Sequence, residues 1–186
     1  RAASPRQVSV EQVRHIAADL PPAVHPVLLY RDAPVDAVCE ELRETRLDWV
    51  QLHGGESVGY VRELLFHFPR LNLIRAWEVR NVSSATELTD YLADASDEGV
   101  RFSVVILDAP KGGEHPGYEC LGEVSRRCRG LAGEFWCAGG LTPENVQEAI
   151  AAGQYEGVDV ARGVEQSPGV KNHDALASFI STARML

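Results

Sequence analysis

Glycine and polar residues collect at the carboxyl ends of the predicted strands, where parallel α/β proteins carry their chemistry. A glycine lets the backbone approach a ligand closely, and free N–H groups at the start of a helix bind anions. The pattern therefore predicts a site for an anionic small molecule, although glycines that only end strands are an alternative. The turns concerned are His53-Gly54-Gly55, Asp108 followed by Lys111-Gly112-Gly113, Gly139-Gly140, and Ala161-Arg162-Gly163.

The last two of these turns predict a phosphate site. They follow strands seven and eight if the chain forms a (β/α)8 barrel, and that pair of loops commonly binds a phosphate group. Backbone amides would hold the anion, and Arg162 would add a positive charge. The residues predicted to bind phosphate are Gly139, Gly140, Ala161, Arg162 and Gly163.

The spacing of apolar residues predicts short strands that alternate with amphipathic helices along the whole chain. Six strands are expected, each followed by a helix, and one additional helix precedes the first strand. Helix starts are predicted at Ser9, Ser84 and Thr142, because these side chains can cap a helix. Uninterrupted alternation indicates a parallel sheet, which is either an open doubly wound sheet or a barrel. The predicted strands are 26–30, 48–53, 72–79, 102–107, 134–138 and 157–161.

Side-chain alternation favours the barrel. Trp49, Gln51 and His53 share one face of their strand, and Arg75 and Asp159 suggest the same polar face in two other strands. Strands of an open parallel sheet are usually apolar on both faces, so polar groups on one face suit a barrel interior near its mouth. We therefore expect a single barrel domain over residues 1–186.

Composition narrows the classes of partner. The chain has 186 residues and a formal net charge of -9, which argues against nucleic-acid and acidic-membrane surfaces. No apolar run approaches the roughly 20 residues of a membrane helix, and no signal peptide is recognised, so a soluble, cytoplasmic protein is expected. The cysteines lack metal-ligand spacing and are interpreted as small hydrophobic residues, with no metal site: Cys39, Cys120, Cys128 and Cys137.

Four segments together resemble phosphoribosylanthranilate isomerase, the (β/α)8 enzyme of tryptophan biosynthesis. They are "VQLHG" at 50–54, "ILDA" at 106–109, "AGGLTPENV" at 138–146 and "VDVARGVEQSPGVKNHDAL" at 158–176. The resemblance extends from about Ser4 to the C-terminus. It implies that the six predicted strands are strands 3 to 8 of the barrel, and that strands 1 and 2 are missing from this sequence.

The resemblance also implies the reaction and its residues. The reaction is an Amadori rearrangement of N-(5-phosphoribosyl)anthranilate to a 1-deoxyribulose 5-phosphate, catalysed by a general acid and a general base without cofactor or metal. Asp108 matches the family's general acid, and Arg6 matches the arginine that contacts the anthranilate carboxylate. Gln51 and His53 match polar groups at the floor of the site. The general-base cysteine of strand one is expected upstream and is absent from this chain.

Departures from the family pattern keep other functions open. The loop Lys111–Cys120 differs from the usual Gly-Gly-Thr-Gly sequence, and Ala161-Arg162-Gly163 replaces Ser-Ser-Gly. One alternative is a non-catalytic barrel remnant that binds a phosphorylated ligand or a partner protein. Another is a different sugar-phosphate isomerase or aldolase-like barrel. For the isomerase we expect a phosphorylated small-molecule substrate, a monomer, and fusion to or association with another enzyme of tryptophan biosynthesis.

Overall fold

The central sheet consists of parallel strands that follow one another in chain order. The structure is a computed structural model, and it describes residues 4, 6–110 and 114–184. Within these residues the sheet has six strands in the order β1-β2-β3-β4-β5-β6, and every neighbouring pair is parallel. The strands are β1 (Leu28–Tyr30), β2 (Trp49–Leu52), β3 (Asn72–Glu78), β4 (Val104–Asp108), β5 (Glu134–Cys137) and β6 (Gly157–Val158).

This strand order decides between the two predicted architectures. A doubly wound sheet reverses its strand order at a switch point, whereas a barrel adds each new strand beside the preceding one. The observed order never reverses. The protein is therefore an α/β protein whose parallel sheet has the sequential order of a TIM-like barrel.

Helices connect the strands, as the alternation predicts. They are α1 (Val10–Asp19), α2 (Val35–Thr45), α3 (Val58–His67), α4 (Ser84–Asp97), α5 (Tyr118–Cys128), α6 (Val146–Ala152) and α7 (His173–Ala183). The sequence analysis expects a helix after each strand, but in the structure the last strand of the sheet is not followed directly by its helix. A 3-10 helix (Arg162–Val164) and an antiparallel hairpin of β7 (Glu165–Ser167) and β8 (Val170–Lys171) come between β6 and α7. No helix in the described ranges has the length and apolar character needed to cross a membrane.

The predicted helix starts differ in outcome. Ser9 caps α1 as predicted, in a reciprocal capping box with Gln12. Ser84 is the first residue of α4 rather than its cap, and its hydroxyl accepts a hydrogen bond from the Arg80 N–H. Thr142 begins a turn, and α6 starts only after Asn145. Asn145 Oδ1 accepts the Thr142 N–H, because this short polar side chain competes with the backbone for local hydrogen bonds.

Register separates the two faces of the sheet. Val50 pairs with Leu73, and both belong to the large core between the sheet and its helices. Gln51 pairs with Ile74, which in turn pairs with Val104 in a smaller inner core. Successive residues of a strand point to opposite faces, so Gln51 lies on the inner face of the sheet.

The prediction for Arg75 is wrong. Arg75 pairs with Leu52 in the register, which places it on the helix-covered face rather than in the interior. There its guanidinium lies over the rings of Trp77 and Tyr91, 5.4 and 5.1 Å from their centroids. It is buried and pairs with Glu56 at 2.7 Å. A polar residue in a strand thus marks a buried ion pair here, not the mouth of a barrel.

The amphipathic pattern of α1 predicts a buried face, which forms only in part: Val13 is half-buried and packs against the core. No residue of α1 is buried, and Ile16 is 52% exposed. On the neighbouring edge strand, Leu29 pairs with the inner-face residue Gln51 and is 58% exposed. Apolar side chains of this kind normally pack against a neighbouring element. The β1 side of the sheet therefore presents an uncovered apolar surface.

Candidate active site

Three of the predicted site residues meet at the ends of β2 and β4. Asp108 is the last residue of β4, and alternation with the inner-core residue Ile106 directs it to the inner face. His53 follows β2, and its Nε2 atom lies 3.4 Å from Asp108 Oδ2. The two side chains are 19% and 17% exposed, so the pair is largely buried but still accessible to a ligand.

Gln51 determines which nitrogen of His53 faces Asp108. The Gln51 side-chain amide nitrogen lies 3.1 Å from His53 Nδ1, and an amide nitrogen can only donate. His53 Nδ1 therefore accepts this hydrogen bond, and the proton of the neutral ring is on Nε2, the nitrogen nearer to Asp108. An imidazole and a carboxyl group side by side at a strand end are the types of group that general acid and base chemistry uses.

A buried carboxylate that the sequence analysis missed holds the turns beside this pair. Glu56 accepts hydrogen bonds from the backbone N–H groups of Asp32 at 2.8 Å and Gly54 at 2.9 Å. Its third partner is Arg75. A side chain on Gly54 would collide with Asp32, so the turns after β1 and β2 pack directly on each other. No short sequence motif signals this arrangement, because its members come from three different units of the chain.

The Gly139-Gly140 turn lies beside Asp108. Both glycines have positive φ, 94° and 68°, which is a backbone conformation that other residues rarely adopt. A Cβ on Gly139 would lie 2.6 Å from the backbone nitrogen of Ala109, the residue after Asp108. The absence of a side chain therefore allows this turn to contact the residue that follows the predicted acid.

The second predicted phosphate turn packs against the first. A Cβ on Gly163 would collide with the carbonyl oxygen of Leu141, so only glycine allows this approach. Lys171 donates a 2.8 Å hydrogen bond to the Ala161 carbonyl oxygen, and Arg162 is exposed at the start of the 3-10 helix. The two turns thus form one continuous surface, as expected for the ends of neighbouring strands.

The backbone of the first turn has free donors. Among the described residues, the N–H groups of Gly140 and Leu141 donate to no protein acceptor. Such groups bind anions, because each carries a partial positive charge that no acceptor satisfies.

Arg6 has a partner that the sequence analysis did not identify. Its guanidinium donates two hydrogen bonds to Glu165 of β7, at 2.8 and 2.5 Å. This bidentate contact lowers the pKa of Glu165 to about 2, with a smaller contribution from Lys171. Arg6 therefore lies against the hairpin that follows the Ala161-Arg162-Gly163 turn, and there it binds the Glu165 carboxylate through two guanidinium nitrogens.

The cysteines do not provide a thiolate. All four are free, and burial raises the pKa of each thiol above its ordinary value. For Cys137, which precedes the Gly139-Gly140 turn, burial raises the pKa to about 12. A thiol needs a lowered pKa to act as a base near neutral pH, so Cys137 is a core residue. Within the described ranges no group of three His, Cys, Asp or Glu side chains is placed to hold a metal ion.

Comparison with known proteins identifies the family. The protein-family model for N-(5'-phosphoribosyl)anthranilate isomerase matches residues 1–182 of this chain. The chain belongs to the phosphoribosylanthranilate isomerase family. The isomerase of Geotalea uraniireducens is 36% identical over 185 residues, which cover 98% of this chain and 84% of the relative. The isomerase of Thermosynechococcus vestitus is 32% identical, with coverage of 96% and 75%.

Solved structures of phosphoribosylanthranilate isomerases have the same fold. The Thermotoga maritima enzyme superposes with a TM-score of 0.81 at 29% identity, covering 98% of this chain and 84% of that one. A second structure, with a TM-score of 0.79 at 30% identity, is a complex with reduced 1-(o-carboxyphenylamino)-1-deoxyribulose 5-phosphate. The resemblance read from the four sequence segments is therefore confirmed. Of the diverged loop, Lys111, Gly112 and Gly113 lie outside the described residues.

Proposed function

We propose that this phosphoribosylanthranilate isomerase uses Asp108 as its general acid. The reaction of the family is an Amadori rearrangement, in which an aminoaldose derivative becomes an aminoketose. The observation that carries the assignment is the contact of Asp108 with His53 at the inner ends of β4 and β2. A carboxyl group there has the partly enclosed position that proton transfer to a bound sugar requires.

The acid step opens the furanose ring. Asp108 gives a proton to the ring oxygen while the C1–O bond breaks, and the nitrogen lone pair of the substrate forms the C1–N double bond. A general base then removes the proton from C2, and the resulting enolamine takes up a proton at C1 while its C2 hydroxyl loses one, which gives the C2 ketone. C2 is oxidised and C1 is reduced within one molecule, so the reaction needs no external oxidant or reductant.

The two glycine turns are proposed to bind the substrate phosphate. The free N–H groups of Gly140 and Leu141 and the exposed cation of Arg162 support this assignment. The close approach of Gly139 to Ala109 supports a phosphate position near the proposed acid. One phosphorylated substrate can therefore contact the turns and Asp108 at the same time.

Arg6 is proposed to bind the anthranilate carboxylate. In this structure the same guanidinium atoms bind Glu165. Substrate binding then exchanges one carboxylate for another, and Glu165 keeps Lys171 as a partner at 3.4 Å after the exchange. Gln51 and His53 orient Asp108 in this proposal.

We further propose that β1 to β6 are strands 3 to 8 of a (β/α)8 barrel, in one domain. The sequential strand order and the uncovered apolar surface beside β1 support it, because two more strands would cover Leu29 and close the sheet. The general base belongs to strand one in this proposal. A monomeric state, an association with another enzyme of tryptophan biosynthesis and a cytoplasmic location stay predictions.

Replacing Asp108 by Asn tests the proposal. Asp108→Asn keeps the shape of the side chain but removes the acidic proton, so we expect kcat to fall by about 10²- to 10⁴-fold. The affinity for the product, measured by inhibition, should change little. Glu98→Gln is the matched control, because Glu98 follows α4 and is an exposed carboxylate paired with Arg62, away from Asp108. An Asp108→Asn enzyme that keeps most of its turnover would refute the assignment.

A further inference from the structure

Two side chains from other parts of the chain form hydrogen bonds with the carbonyl groups of the Gly139-Gly140 turn. His115 Nε2 lies 3.2 Å from the carbonyl oxygen of Gly139. The side-chain nitrogen of Asn145 donates to the carbonyl oxygen of Gly140 at 3.0 Å, and also to the Tyr118 hydroxyl. Both carbonyl groups of the turn therefore have side-chain partners.

The contacts of His115 define its tautomer. The Gly117 N–H donates to His115 Nδ1 at 3.0 Å, so this nitrogen is an acceptor. The proton of the neutral ring is then on Nε2, which donates to Gly139. The ring also makes an edge contact with Tyr118, with the centroids 4.7 Å apart. His115 thus links the loop before α5 to the turn after β5.

Peptide geometry carries this restraint to the anion donors. The peptide group is planar and trans, so its C=O and N–H point in opposite directions. Fixing the Gly139 carbonyl therefore fixes the Gly140 N–H on the other side of the chain. Fixing the Gly140 carbonyl does the same for the Leu141 N–H. Neither of these two N–H groups has a protein acceptor among the described residues.

We propose that His115 is a positioning residue for the phosphate site. Two consecutive glycines give the turn wide conformational freedom, which an anion would have to restrict on binding. His115 removes part of that freedom beforehand by holding the Gly139 carbonyl. It acts through the turn rather than on the substrate, and the inference rests on the proposed phosphate role of this turn.

His115 lies in a loop whose sequence differs from the usual sequence of the family. The resemblance predicts Gly-Gly-Thr-Gly in the loop before α5, and this chain has His115 in that loop instead. A side chain that spans two loops can replace restraints that a different loop sequence would supply. His115 is exposed, so its substitution leaves the hydrophobic core intact.

Two variants separate the hydrogen bond from the ring contact. His115→Phe keeps a ring beside Tyr118 but cannot donate to Gly139, whereas His115→Gln keeps a donor of similar reach. His67→Phe is the matched control, because His67 is exposed at the end of α3, outside the proposed site. The measurements are calorimetric binding of inorganic phosphate, and KM and kcat for the substrate.

For His115→Phe we expect the phosphate Kd and KM to rise about two- to tenfold, as for loss of one hydrogen bond, with kcat within twofold of the parent. His115→Gln should stay within about twofold of the parent. A His115→Phe protein that binds phosphate as tightly as the parent would overturn the proposal, and so would a His115→Gln protein as weak as His115→Phe. Phosphate binding is measured without turnover, so failure here is distinct from failure of the Asp108 assignment.

Discussion

Replacing Arg75 by Met should destabilise the protein strongly without creating a large cavity. Arg75 and Glu56 have side chains that are 5% and 1% exposed, and they are joined by a 2.7 Å hydrogen bond. Met keeps an unbranched apolar side chain between Trp77 and Tyr91 but removes the positive charge. The substitution therefore leaves a buried carboxylate without its counter-ion.

The size of the effect follows from the remaining partners of Glu56. Removing one member of a buried ion pair typically costs about 3–5 kcal/mol, because the other charge stays buried. Glu56 keeps the backbone N–H groups of Asp32 and Gly54, which continue to stabilise its negative charge. The loss of the cation contacts with the two rings is partly offset by contacts of the Met sulfur. We therefore expect a loss near the lower limit, about 3 kcal/mol of unfolding free energy.

Urea denaturation of the parent and the variant measures this difference. Arg62→Met is the matched control, because Arg62 pairs with Glu98 at 2.9 Å while both side chains are at least half exposed. For such a surface pair we expect a change within about 1 kcal/mol. The reasoning is refuted if Arg75→Met lowers the unfolding free energy by no more than Arg62→Met does.

Two further predictions concern ionisable groups. Because burial raises the pKa of Cys137 to about 12, its thiol should resist alkylation by iodoacetamide at pH 8 in the native protein and react only after denaturation. Labelling followed by peptide mass spectrometry checks this. Labelling of Cys137 in the native protein would contradict it. Because Arg6 lowers the pKa of Glu165 to about 2, the stabilisation by their ion pair should be complete above the ordinary glutamate value near 4.5 and lost as the pH falls from there towards 2. Arg6→Gln should raise the pKa of Glu165 in an NMR titration, and an unchanged value would show that another group holds this carboxylate.

The sequence predicts the sheet and much of the site because both depend on regular rules. Alternation of strands and helices is visible in the apolar spacing, and strand ends of a parallel sheet meet at one edge. The contact between His53 and Asp108 and the packing of the two glycine turns follow from these rules.

Other features could not be predicted because they depend on pairs that are distant in the chain. The strand around Arg75 is apolar on both faces, so a period of two does not show which face is the interior. The partners Glu56 and Glu165 are ordinary glutamates in the sequence, and only the fold brings them to their arginines. The hairpin β7–β8 is short and polar, so hydrophobic spacing gives no signal for it.

The shared carboxylate of Glu56 has a consequence for engineering this protein. Loops at the carboxyl ends of barrel strands are commonly treated as modules that can be exchanged one at a time. Here the turns after β1 and β2 depend on each other, since Glu56 binds Asp32 and Gly54 and the Asp32 side chain accepts the Gly55 N–H at 2.7 Å. Grafting a new sequence into either loop alone removes a partner from the other. A successful graft would therefore transfer both loops together with Glu56 and Arg75.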